Sequence, residues 1–366
     1  MMNKMVYVCL CLLWPAILFA QDLEPRYFYR GLNYGSETLV NPVTMILHGG
    51  YGILQAENRT SFPDEIDYRT GAKNVWTNLR HPLRMIKEYG TEDFIIEQFL
   101  PLSADRRKAY YWPNYTTHLI GGGMSYRMMV EWYQAHGIVY AKPLAITTIM
   151  TYHYLNEIVE NNGFVGNNTD PIADLLFFDP LSIVLFSSED ICRFFSETFS
   201  LSEWAFQFSV SPHDGGIQNQ GQNFMMRYSV PYYSSLNVIY LFGNHGQLGL
   251  SWKKNSRDYI SLTYGYASNR LVELGDDERI LQLGTELVPM AGIYYDRNRS
   301  LMFSFIYTQR QDHLLRLNLY PGFKHWQVGN YRFPSPGLFL LLERDRGIMG
   351  GITFGYLPVQ IMGPGF

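Results

Sequence analysis

The sequence predicts an α+β chain, with a helical N-terminal half packed in or on a C-terminal antiparallel transmembrane β-barrel of roughly eight to twelve strands. Three observations carry that prediction. From Trp204 onward, apolar residues alternate with small or polar ones over short runs separated by turns, the period-two pattern of strands. Between Tyr115 and Phe199, apolar residues recur at helical spacing and are interrupted by His, Glu, Asp and Asn. Aromatic residues make up 16% of the chain, an excess expected where a protein surface meets a lipid interface.

The chain divides into residues 1–20, 21–115, 116–200 and 201–366. The first, MMNKMVYVCLCLLWPAILFA, has one Lys, an apolar run and a small residue at its end, and reads as a secretory signal peptide cleaved after Ala20. Cys9 and Cys11 leave with it, so Cys192 is the single cysteine of the mature chain. Stability then rests on no internal disulfide, which suits a Gram-negative envelope protein. The full chain carries 29 basic against 33 acidic residues, and loss of Lys4 leaves 28 against 33. With no basic bias, nucleic acid is not an expected partner. After the leader no apolar run reaches about 18 residues, so a membrane-integral chain has to be a barrel.

Residues 21–115 are irregular with short amphipathic pieces. Asn41-Pro42 offers a cap and a first-turn proline for VTMILHGGYGIL; His81-Pro82 opens LRMIKEYG; DFIIEQFLPL is a third apolar patch. The 116–200 segment opens on His118 and Gly121-Gly122-Gly123, three glycines that mark either a helix start or a close approach to another backbone. Arg127 and Glu131 stand four apart on one helical face, where they can pair, and Gly137 closes that helix. A second helix runs from Pro143 to Gly163 and aligns His153, Glu157 and Asn161 on one stripe, with Asn156 and Glu160 beside it. Asp170-Pro171 and Asp179-Pro180 read as helix starts, Asp capping and Pro in the first turn. Asp174, inside IADLLFF, has no capping role and has to pair, bind or face water. Ser187 to Asp190 has the form of a capping box.

Strand patterns begin with Trp204, Phe206, Phe208 and Val210 on one face. They continue through Phe224 to Val230, Leu236 to Phe242, Leu248 to Trp252, Ile260 to Tyr266, Leu281 to Tyr295, Leu301 to Thr308, Leu315 to Tyr320, Leu338 to Glu343 and Ile352 to Tyr356. The second face is mainly Gly, Ser, Thr, Gln and Asn, with charges gathered in turns such as Lys253-Lys254-Asn255. A soluble barrel shows charge to water instead. Trp252, Tyr266, Tyr294, Tyr295 and Tyr320 fall toward strand ends, where an interfacial girdle lies. Phe366 ends the sequence as in many outer-membrane barrels, although Pro364 cannot donate to a ladder.

His118 with Gly121 to Gly123, Asn156-Glu157 with Glu160, and Asp170 with Asp174, all ahead of the strand-rich half, resemble uncharacterised bacterial outer-membrane proteins in which a helical segment precedes a C-terminal β-barrel. The resemblance covers most of the chain from Tyr115 onward. It implies fold and location, namely the cell outer membrane, and assigns no chemistry.

The partners expected are outer-membrane lipid, the barrel-assembly machinery during biogenesis, and a small-molecule solute. The candidate site is a polar cluster between helices: His118, Arg127, Glu131, His153, Asn156, Glu157, Glu160 and Asp174. A His and a Glu one turn apart can share a metal, and carboxylates beside a His can run acid–base chemistry. Glu-x-x-His pairs, His-Glu-x-x-His, Gly-x-Ser-x-Gly, P-loop and dinucleotide motifs are all absent. The expectation is therefore a structural or transport-related barrel with a helical plug or cap, its cluster a hydrogen-bonded network. The alternative is a lipid-acting or metal-dependent enzyme that uses the cluster. Arg227, Arg316 and Glu343 are too few to form a selective pore ring.

Overall fold

The computed structural model describes residues 25–57, 60–102, 109–163, 168–205, 207–233, 235–273, 283–329, 331–344 and 347–363. The predicted leader and the terminal Phe366 with Pro364 lie outside the described residues.

Helices occupy the N-terminal half. They are α1 (Pro42–Gly50), α2 (Gly52–Glu57), α3 (Tyr68–Arg80), α4 (Pro82–Tyr89), α5 (Thr91–Gln98), α6 (Gly123–Ala135), α7 (Ala141–Glu160), α8 (Asp179–Phe186) and α9 (Glu189–Arg193). The Asn41 side chain accepts from Thr44 N–H and Pro42 takes the first turn, so α1 starts where the sequence places it. α6 continues without a break from a π-helical run, Asn114–Gly122, and α8 continues from Asp170–Ala173 and a second π-helical run, Asp174–Phe178.

The three glycines therefore stand inside a helix, and close approach is the reason. A Cβ on Gly121 would lie 2.4 Å from the Phe224 ring and one on Gly123 2.2 Å from the Phe186 ring. Gly49 and Gly50 likewise let α1 meet α7 at Tyr152 and Leu155. The capping expectation for Asp170 and Asp179 is corrected: neither caps a helix N-terminus. Asp170 instead accepts from the Gln98 amide, and Asp179 faces two histidines. No capping bond from Ser188 forms either.

The C-terminal half is one strongly curled sheet. Its strands are β1 (Ser202–Glu203), β2 (Ser209–Val210), β3 (Ile217–Gln218), β4 (Asn223–Ser229), β5 (Leu236–Gly243), β6 (His245–Lys253), β7 (Asp258–Glu273), β8 (Leu283–Arg297), β9 (Ser300–Thr308) and β10 (His313–Leu319). After a separate hairpin, β11 (His325–Val328) and β12 (Tyr331–Pro334), come β13 (Gly337–Glu343), β14 (Gly347–Thr353) and β15 (Gln360–Gly363). The thirteen strands run β1-β4-β5-β6-β7-β8-β9-β10-β13-β14-β15-β2-β3. All pairings are antiparallel except β15 with β2.

This is an open half-barrel, where a barrel was expected. The alternation at Trp204 to Val210 does not make a wall strand. Trp204, Ala205, Gln207, Phe208 and Ser209 are all buried, so the run has no outward face; it lies inside the curl and touches both sides of the seam, β4 through β1 and β15 through β2. Trp204 tilts against Tyr294 at 5.7 Å, and Tyr320 donates its hydroxyl to the Trp204 carbonyl. Tyr294 and Tyr320 thus point inward and drop out of the predicted girdle, while Trp252 and Tyr266 stay exposed.

The helical half packs against the β4–β5 end of the sheet, through Gly121 on Phe224 and Trp112 edge-on to Tyr240. One continuous core joins the halves, running from Met45, Met124, Met129 and Ile149 to Phe224, Phe242 and Tyr320.

Candidate functional site

Three helical segments converge on one buried pocket of charge. The first π-helical run brings His118, α7 brings His153 and Glu157, and the Asp170–Phe186 segment brings Asp174 and Asp179. His118 Nδ1 lies 3.0 Å from Asp179 Oδ1 and its Nε2 lies 3.4 Å from Asp174 Oδ2. His153 Nε2 is 3.4 Å from the same Asp179 Oδ1. The two imidazole rings are 4.9 Å apart. Gly122 makes room for the second ring, since a Cβ there would sit 3.3 Å from His153 Nε2.

The second π-helical run explains how two aspartates reach one histidine. Five residues along an α-helix turn a side chain by about 140° away from the first. Here the Asp179 N–H donates to the Asp174 carbonyl, an i→i+5 bond that widens the turn and brings the fifth residue back over the first.

Burial and mutual repulsion set the protonation. Burial alone lowers the pKa of His118, but Asp174, Asp179 and Glu160 together overcome it and hold the value at about 9. Burial takes His153 down to about 4 against the pull of Asp179. Asp174 is pushed up to about 7 by burial, with His118 opposing, and Asp170 to about 6, also by burial. Glu157 rises well above the usual carboxylate range, through burial first and then Glu160, Asp174, Asp170 and Asp179. The pocket thus holds more carboxylates than its histidines can balance.

Two polar atoms in this cluster are sealed from solvent without a formed hydrogen bond, Asp179 Oδ2 and His153 Nε2, the latter only in the 3.4 Å contact with Asp179 Oδ1, while Asp174 is hydrogen-bonded to Glu157. His118, His153 and Asp179 each offer a ligand atom, and these atoms lie within 4.8 Å of one another. Two histidines and one carboxylate are a recurring donor set for zinc and non-haem iron.

The structure brings His118, His153, Glu157 and Asp174 together, with Glu160 close enough to act on His118 through its charge. It places the other candidates elsewhere. Glu131 accepts backbone N–H groups of Tyr27, Phe28 and Tyr29 at 2.8–2.9 Å and the Arg127 Nε at 3.0 Å. Arg127 also meets Glu189 at 2.6 Å. This pair fastens the segment ahead of α1 onto α6. Asn156 faces the start of α2, its Oδ1 4.0 Å from where a Gly52 Cβ would stand. Asp179 was missed because Asp-Pro is the ordinary signature of a helix start; its demand for a partner matches that of Asp174.

Among known protein families, curated proteins and solved structures, none matches this chain.

Proposed function

We propose that this is an outer-membrane protein of structural role, the curled sheet seated in the bilayer and the helical half packed on one wall. One observation carries the reading: the sheet is inside out relative to a water-soluble one. Val238, Leu250, Leu262, Ile293, Phe305 and Leu340 follow one another across the register from β5 to β13, and their exposures lie between 37% and 53%. The opposite face buries Gln247, Ser251, Ser261, Thr263, Ser304 and Asn318, together with the Arg227–Asp296 ion pair. So large a contiguous apolar surface is not left to water by a monomer, and lipid outside with polar groups inside is the pattern of outer-membrane barrels. Trp252, Tyr228, Tyr264 and Tyr266, all exposed, supply aromatics suited to the interface.

The interior favours a scaffold over an open channel, because Leu201, Trp204, Gln207, Phe208, Asn219 and Gln222 are buried in it. The partners under this reading are outer-membrane lipid and the barrel-assembly machinery. The test is fractionation of tagged protein with gel mobility before and after boiling. An outer-membrane band that shifts on heating supports the proposal; a soluble periplasmic protein without a shift overturns it.

A specific observation favours a second property, a divalent metal centre on His118, His153 and Asp179. A closed hydrogen-bonded network leaves no orphaned buried atoms, whereas this cluster leaves His153 Nε2 and Asp179 Oδ2 without a formed bond and crowds carboxyl groups whose ionisation burial opposes, which a cation would stabilise in charged form. Bound there, a zinc-class ion supplies Lewis acidity, and Asp174 stands ready to accept a proton from a water. Elemental analysis of purified protein tests this. About one equivalent of metal, lost in H153A, is the expected result; a metal-free protein with no uptake on titration sinks it.

A further inference from the structure

Inside the curl lies a cavity of about 60 Å³, distinct from the histidine–aspartate cluster, lined among others by Arg310, Arg316, His245 and His313. We propose that it is a binding site for a phosphate-class oxyanion. Four observations carry this. Not one of the residues lining it is Asp or Glu, while two are Arg and two are His. Arg316 is only 5% exposed; its Nε donates to Asn318 Oδ1 at 3.1 Å and its Nη2 has no partner. Among the described residues no carboxylate comes within ion-pair distance of it, because the nearby Asp312 pairs with Arg310 at 2.9 Å and His313 at 3.0 Å. The Nε2 of His245 is likewise sealed and unpartnered.

A buried guanidinium without a counter-charge is costly, and an arginine fork is shaped for the oxygens of carboxylate or phosphate. Asn219, Gln220 and Asn223 also line the cavity, their amides donating to protein acceptors that include the His48 carbonyl, Asn318 and the Gly221 carbonyl. At roughly 12 Å³ per water-sized group, the volume accommodates about five such groups, enough for a tetrahedral oxyanion. The phosphate can be free or the headgroup of a lipid. The inference does not rest on the bilayer reading, since it depends only on what the curl encloses.

The experiment is calorimetric titration of the full chain in detergent, with inorganic phosphate in one arm and short-chain phosphatidic acid in the other. Saturable binding in either arm, weakened about tenfold or more in R316Q and partly restored in R316K, supports the site. Phosphate in the first arm identifies a free anion; binding in the second alone identifies a lipid headgroup. If R316Q does not fold, H245Q is read in its place, with weaker binding expected. Absence of saturable binding in both arms, or equal affinity of the folded variants and the parent, overturns the proposal.

Discussion

Replacing Leu262 by arginine separates a lipid-facing sheet from a water-facing one. Leu262 is 53% exposed and sits between Leu250 on β6 and Ile293 on β8. The outward residues of β8 run from Leu287 to Tyr295, eight steps, or about 27 Å along the strand and roughly 20 Å across a bilayer at a 40° tilt. Leu262 is four residues into β7, about 10 Å deep by the same arithmetic, near the middle of that belt. An arginine at mid-depth costs about 2–4 kcal/mol, a roughly 30- to 900-fold loss in the folding equilibrium. On a water-facing surface the same change stays within about 0.5 kcal/mol. Reversible urea unfolding in phospholipid vesicles, followed by tryptophan fluorescence, measures the difference. Ser256→Arg in the exposed β6–β7 turn is the control and should behave like the parent. If L262R unfolds at the same urea concentration as S256R, the sheet does not face lipid.

Four other outcomes follow from particular contacts. Gly123→Ala puts a Cβ 2.2 Å from the buried Phe186 ring and should cost about 1–3 kcal/mol, read as a lower unfolding midpoint. Glu131→Ala strands three backbone N–H groups and the Arg127 Nε, with Glu189 still on the guanidinium, a loss of about 3–5 kcal/mol; limited proteolysis should then release the segment around Tyr27 to Tyr29, and an unchanged digestion pattern would count against the clamp. Glu157 has a folded pKa raised above its unfolded value, so its contribution is full below the ordinary carboxylate range and declines by about 1.4 kcal/mol per pH unit as pH rises toward the folded value. In metal-free buffer E157Q should therefore flatten the fall in stability between pH 5 and pH 8, and superimposable parent and variant curves would refute this. Chelation should lower the thermal midpoint of the parent and leave H153A unmoved, as expected when a ligand binds only the folded state.

Most of the wall was legible in the sequence because a strand with an apolar outer face and a polar inner one must alternate. Ile260, Leu262, Tyr264 and Tyr266 against Ser261 and Thr263 gave both the strand and its facing. The open seam was not legible. Trp204, Phe208 and Val210 alternate as well as any wall strand, yet alternation records only that neighbouring side chains point opposite ways. A run buried on both sides, as Trp204, Ala205, Gln207, Phe208 and Ser209 are inside the curl, carries the same pattern as one with an exposed apolar face. Tyr294 and Tyr320 misled for a related reason: an aromatic near a strand end belongs to a girdle only if its parity is outward, and theirs is inward, against Trp204.

The candidate site was half legible, and the missing half turns on helix period. An α-helical count puts His153, Glu157 and Asn161 on one stripe and correctly marks Asp174 as a charge without a capping role. The same count sets Asp179 on another face, and its following proline supplies a sufficient local reason for an aspartate. Only the wider turn between Asp174 and Asp179 superposes the two, and nothing in the local composition of DLLFFD announces a π-helical bond. A signal existed at the level of charge: His118 and His153 both need partners once buried, and Glu131, the first carboxylate after His118 in sequence, is already committed to Arg127. The acid they lacked had to come from the next helix. π-helical turns are rare and frequent at functional sites, and the one that begins at Asp174 is what lets Asp174 and Asp179 share His118. Asp179→Asn tests that link: it keeps the volume and the turn, and should abolish metal uptake, while the metal-free protein stays folded with a lowered unfolding midpoint because His118 loses one of the carboxylates that hold it charged.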